Sequence, residues 1–189
     1  DIKVEDLSVG DWVKTADNGL QPIRWIGATT LSAAYLNANP ELKPIRFAKG
    51  SLGENVPEND LRLSRQHRVL LRDWQAEVVF GASEGVLTPA FSLTNDSTIR
   101  VQDCPEGVTY YHIAFAQHEV IYAEGVETES FHPSKQTVTA LSPAQRDELF
   151  ALFPQLEHLT GDDAAVTSAR TQLKGSEGRV YTAHGTHEG

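Results

Sequence analysis

A chain of 189 residues, 40% hydrophobic and 22% charged, is sized for one domain, or one domain with an appendage, around a proper core. The formal net charge of -10 repels phosphate backbones and argues against nucleic-acid binding. No apolar run approaches a membrane span and no signal-like stretch opens the chain, which argues against membrane insertion.

The predicted elements begin with a hairpin. Trp12-Val13-Lys14-Thr15 and Pro22-Ile23-Arg24-Trp25-Ile26 flank Asp17-Asn18-Gly19, and Asn-Gly tolerates the positive φ of a tight turn. Leu31 to Pro44 reads as a short helix or an irregular insertion. Short strands are expected at Ile45-Arg46-Phe47, Leu61-Arg62-Leu63, Arg68 to Leu71, Glu77 to Phe80 and Thr98 to Val101. Val108 to Ala116 and His118 to Ala123 continue the pattern, so residues 1–135 read as a mainly β domain.

The character changes near Pro133. Ser142-Pro143-Ala144-Gln145 combines a helix cap, a first-turn proline and a glutamine at capping-box spacing. Leu149, Leu152, Phe153, Leu156 and Leu159 then recur at helical spacing, a stripe read as core packing, with Pro154 expected to split the helix. A second helix is expected from about Asp163 to Leu173, ended by Gly175. Residues 136–175 thus form a C-terminal helical appendage, and 176–189 a flexible tail rich in Gly, His and Glu.

Chemistry concentrates in a few side chains. Ser64 and His67 lie three residues apart between two strands, where a turn would bring them to one point. A hydroxyl and an imidazole so placed can grip a carbonyl and protonate an amide nitrogen. His112 falls on an alternating strand, and His118 opens the next one. Cys104 is the single cysteine, so no internal disulfide forms; its turn, Gln102 to Gly107, holds no basic cluster to activate a thiol.

Several blocks of the chain resemble Hint domains, the fold shared by hedgehog autoprocessing domains and inteins. Val4-Glu5-Asp6-Leu7-Ser8-Val9-Gly10-Asp11-Trp12-Val13 is similar to their early Gly-Asp block, and Ser64-x-x-His67 stands where they carry Thr-x-x-His. His118-Glu119-Val120-Ile121-Tyr122-Ala123-Glu124-Gly125 looks like their late histidine block, and Gln21-Pro22-Ile23-Arg24-Trp25-Ile26-Gly27 resembles a bacterial subgroup most specifically. The resemblance implies a horseshoe-shaped β fold that needs no cofactor and no metal. It also implies cleavage of an upstream passenger segment of the same polypeptide by N-to-S or N-to-O acyl shift. Ser64 would help hold the scissile carbonyl, His67 would protonate the leaving nitrogen, and His118 would assist later proton transfers. His112, or its neighbour Tyr111, would stand where many members have an aspartate. Exported bacterial proteins often carry such domains, although no residue here marks secretion or an oligomeric state.

Two departures from the family pattern shape the expectation. The attacking Cys or Ser of the family would lie before Asp1, so the chain as it stands is expected to be inactive. The chain has no methionine, which implies that an encoded segment precedes Asp1. No asparagine follows Asn95, so splicing by terminal asparagine cyclisation is excluded. The competing readings are a non-catalytic Hint-derived interaction module and a histidine-based metal site. The metal site is disfavoured by the absence of H-x-x-x-H and C-x-x-C spacing, even with His184 and His187 in the tail. A serine hydrolase is disfavoured by the lack of G-x-S-x-G and of α/β alternation.

Overall fold

The computed structural model describes residues 2–72, 74–133, 135–139, 141–153, 156 and 167–179. Among the described residues, twelve strands and a few short helices make the fold mainly β. The chain divides into two units. The first comprises Asp1–Thr29, Thr109–Ile121 and Ser130–Ala169, the second Thr30–Val108, Tyr122–Glu129 and Arg170–Gly189.

In the first unit, β1 (Trp12–Lys14) and β2 (Leu20–Pro22) form the expected hairpin, with Lys14 opposite Leu20. Gly19 takes φ 65°, and its carbonyl accepts both the N–H and the hydroxyl of Thr15 at 2.8 and 2.9 Å. β3 (Trp25–Leu31) runs beside β9 (Val108–Ala114). Ile23, Ile113 and Phe115 bury one small core. A second gathers Trp25, Ala114, Val138, Leu141, Leu149, Phe153 and Leu156. It joins the strands to α3 (Lys135–Thr139) and α4 (Pro143–Leu152).

The start of α4 follows its sequence signals. Ser142 and Gln145 form the reciprocal capping box, with proline in the first turn. Gln145 also donates from Nε2 to the Ala28 carbonyl at 3.0 Å, and Glu148 accepts from the Trp25 indole at 3.2 Å. The helix stops at Leu152. Phe153, which precedes Pro154, sits at φ -132° and ψ 72°, as a residue before proline avoids the helical region. Leu149, Phe153 and Leu156 of the apolar stripe are buried, whereas Leu152 is exposed. Pro154 and Leu159 lie outside the described residues.

In the second unit, β4 (Ile45–Phe47) lies between β5 (Leu61–Leu63) and β8 (Ile99–Val101). Ile45 and Phe47 point into the core, and Arg46 between them points out, the period of two that a half-buried strand requires. A five-stranded sheet has the order β10 (Val120–Ala123), β11 (Val126–Glu129), β6 (Arg68–Leu71), β7 (Val86–Pro89), β12 (Thr171–Gln172). Glu124 and Gly125, at φ 50° and 78°, close the turn between β10 and β11. α1 (Ala33–Ala38) fills the expected short helix, with Ser32 capping it through the Tyr35 N–H.

Two expectations are corrected. Glu77 to Phe80 is not a strand but the end of α2 (Trp74–Phe80). Its Ala76 packs with Val86 and Leu173, while Val78 and Val79 face solvent, so no sheet face claims the valines. Gly81, at φ 63°, supplies the left-handed residue that ends the helix. The helix expected over about 163–173 is replaced, where described, by irregular chain with a bend at Ala169–Arg170 and then β12, which pairs in parallel with β7. Leu173 is buried because that pairing places it in the core of the second unit. Residues 175–179 are helical, and Gly178 is buried. The rest of the expected tail, with His184 and His187, lies outside the described residues.

The Trp25-Ile26-Gly27 sequence now has a physical reason. Residues two apart on a strand share a face, and the Trp25 ring lies over Gly27, where any Cβ would overlap the indole. Gly27→Ala should therefore lower stability by about 1–3 kcal/mol through overpacking. Urea unfolding measures this, and an unchanged midpoint would show that the indole can move aside freely.

One exposed ion pair makes a pH prediction. Asp60 accepts from Arg46 Nε at 2.8 Å and from the Lys49 N–H at 3.0 Å. The Arg46 hydrogen bond, followed by that of Lys49, holds the Asp60 carboxyl below its ordinary 3.8. Since folding depresses this pKa, the contribution is fully present above pH 3.8 and fades as pH falls through the folded value. In Arg46→Ala, carboxyl NMR should find Asp60 titrating closer to 3.8; an unmoved titration would remove Arg46 as the cause.

Candidate functional site

Ser64 and His67 belong to the second unit and form one turn. β5 lies in the three-stranded sheet and β6 in the five-stranded one, so the chain must swing between sheets within a few residues. Arg65 and Gln66 make the corner, and the His67 N–H donates to the Ser64 carbonyl at 3.1 Å. The outer carbonyls of the turn are also used. Arg65 accepts from the Phe91 N–H at 3.1 Å, and His67 from the Ala90 N–H at 2.8 Å. Both donors sit in the short 3-10 turn Ala90–Leu93 that follows β7. Ser64 and His67 are half-buried, and the His67 Nε2 atom is itself sheltered from solvent.

Glu129 fixes the strand that leaves this turn. Its buried carboxylate accepts the Arg68 N–H at 3.0 Å and lies 3.4 Å from the Arg68 guanidinium. Glu129 was not singled out from the sequence. A carboxylate at the end of a strand has no local signature, and its partner lies 61 positions away.

His112 and His118 belong to the first unit. His112 stands on β9 with its ring edge-on to Phe131, centroids 5.3 Å apart at 61°. Phe131 in turn packs on Trp25 at 5.4 Å. His118 lies on the bend between β9 and β10 and is 4% exposed. Its ring rests against His132 with centroids 4.4 Å apart. The consecutive residues Phe131 and His132 therefore each meet one of the two predicted histidines. His132 was not predicted as a site residue, although Phe131-His132-Pro133 closes the late block. A small groove beside His118 is lined by Ala114, Phe115, Phe131, Pro133 and Phe153.

The backbone around His118 is pinned on its C-terminal side. Glu119 donates its N–H to Ser130 Oγ at 2.9 Å, and its carbonyl accepts the Ser130 N–H at 2.8 Å. The Glu119 side chain is 1% exposed. Asn18 Nδ2 donates to both carboxyl oxygens at 3.1 and 3.0 Å, and Gln117 Nε2 donates to Oε1 at 3.0 Å. On the other side of His118, Nδ1 accepts the Ala169 N–H at 3.0 Å, with Ser168 Oγ 3.4 Å away.

Tyr111 is half-buried on β9. Cys104 is half-buried in the turn between β8 and β9, with Sγ 3.8 Å from the Gln102 carbonyl. Among the described residues, no group of three or more His, Cys, Asp or Glu side chains could hold a metal ion. No helix among them is long and apolar enough to cross a membrane.

Residues 1–135 match the family model of the Hint domain, and the chain belongs to that family. Its general function is of the Hint, autoprocessing type. No curated protein and no solved structure matches the chain.

The Glu119 network makes a prediction about the histidine bend. Glu119→Ala should cost about 1–3 kcal/mol, because the Asn18 and Gln117 amides lose their buried acceptor. The loss should appear in urea unfolding together with a changed His118 environment in NMR. If the His118 signals stay put, the carboxyl does not brace the bend.

Proposed function

We propose that the domain activates the peptide bond at its N-terminal junction by an acyl shift and releases the upstream passenger segment. The observation that carries this reading is the Ser64–His67 turn within a chain of the Hint family. A thiol or hydroxyl assigned to a residue upstream of Asp1 attacks the preceding carbonyl carbon. Ser64 helps hold the carbonyl oxygen. His67, as imidazolium, gives its proton to the leaving nitrogen as the carbon–nitrogen bond breaks, since an amide nitrogen leaves poorly until protonated. The proton given up by the attacking thiol or hydroxyl restores the His67 imidazolium, and the products are a thioester or ester and a free amine. Water, a thiol or an alcohol then takes the acyl group and returns the nucleophile. His118 assists this second stage. His112, packed edge-on against Phe131, stands where many members of the family carry an aspartate and shares in the proton transfers.

The test places a small passenger and a Cys or Ser junction residue ahead of the chain and follows cleavage on a gel. Hydroxylamine should raise cleavage by intercepting the ester or thioester. His67→Ala should slow cleavage by about 10²–10⁴-fold and Ser64→Ala by about 10²–10³-fold, the usual worth of an acid and of an oxyanion donor. Cys104→Ala should leave it intact. Cleavage that persists at the normal rate without His67 would sink the assigned proton donor, and loss of cleavage on replacing Cys104 would move the nucleophile into the described chain.

A further inference from the structure

We infer that the main-chain N–H of Ala169 is a positioning group for His118, setting which ring nitrogen carries the proton during self-processing. The inference rests on the proposed function and extends it to a segment beyond residues 1–135, the part that matches the Hint family.

The geometry fixes the direction of the bond. Ala169 N lies 3.0 Å from His118 Nδ1, and a main-chain N–H can only donate. Nδ1 must therefore present its lone pair. In the neutral ring the proton then sits on Nε2, the logic by which a neighbour selects the tautomer of a working histidine. The ring has little freedom to escape this arrangement. It is 4% exposed, it packs on His132 at 4.4 Å, and the adjoining residue is bonded to Ser130 through both N–H and carbonyl. Protonating Nδ1 would break the Ala169 bond, and a neutral ring cannot release its Nε2 proton, so what His118 contributes to the reaction is a hydrogen bond donated from Nε2. The Ser168–Ala169 segment thus acts as a strap whose main chain sets the tautomer, with Ser168 Oγ, 3.4 Å from the same nitrogen, as a second polar neighbour.

The test has two readouts. In histidine-labelled protein, nitrogen NMR at neutral pH should show His118 with Nδ1 unprotonated and Nε2 protonated; a proton on Nδ1 overturns the inference whatever the variants do. Ala169→Pro deletes the N–H and should mix the tautomers. In the passenger assay it should slow cleavage by about tenfold to a hundredfold, as loss of a group that orients a working histidine does. The conservative Ala169→Gly keeps the N–H and should recover most of the rate and the original tautomer. A proline variant that folds and cleaves normally refutes the positioning role. Failure of the unaltered chain to cleave its passenger, with the Nε2–H tautomer present, would instead overturn the proposed function and with it the use assigned to the strap.

Discussion

A carboxyl group removed from water must find hydrogen bonds inside the protein, and Glu119 imposes that requirement on the first unit. Its two oxygens draw in Asn18 from the hairpin turn and Gln117 from the bend before β10. The Asn18 contact needs the hairpin to end where Gly19 lets it end. Nearby, the Ala16 N–H donates to the Val120 carbonyl and Thr15 bridges Ile121, so the hairpin and the start of β10 are held by backbone as well as by side chain. The same residue, through its main chain, ties Ser130 and so places Phe131 and His132. One buried acid therefore links the turn of β1 and β2, the His118 bend and the aromatic wall behind His112.

The two predicted pairs are built by different physics. Ser64 and His67 lie in a turn that main-chain bonds close on itself and on the 3-10 turn after β7. Such a scaffold specifies backbone direction while leaving the side-chain identities to chemistry. His112 and His118 depend on packing. One ring meets the edge of Phe131 and the other the ring of His132, and these neighbours are consecutive in the chain. Sheet pairing makes this possible, because the Phe131 N–H donates to the Ile113 carbonyl at 2.7 Å and sets the segment beside β9.

The parts of the fold that carry local signals were readable from the sequence. Asn18-Gly19 announces the hairpin, Ser142 to Gln145 announces α4, and Ile45 to Phe47 alternates as a half-buried strand must. The misreadings occur where tertiary contacts outweigh local preference. Val78-Val79-Phe80 favours a strand by composition, yet the segment is helical because Ala76 is the residue the core accepts. β7 hides because Val86 to Pro89 is buried on both faces and shows no alternation. β11 hides because Glu127 and Glu129 look solvated, although Arg72 and Arg68 hold them. Ser64, His67 and His118 could be singled out as candidates, because their types and spacing fit a chemical task. Glu129 and Ala169 could not, since the role of each exists only through a partner far along the chain.

The C-terminal extension changes meaning for a similar reason. Its sequence reads as a helical appendage packing on a β domain, and α4 does pack in this way against Trp25 and Ala28. Beyond the helix, the extension supplies structure that each unit uses separately. In the first unit, Ala169 meets His118. In the second, β12 extends the sheet beside β7, and Gly175 lies against the Phe91 ring so closely that a Cβ would overlap it. Phe91 also carries the Arg65 guanidinium over its ring at 5.4 Å, and Arg65 is a corner of the Ser64–His67 turn. A glycine at 175 is thus a condition for Phe91 to sit under Arg65. The extension therefore contributes to the packing around both chemical pairs, although it carries none of the four predicted side chains.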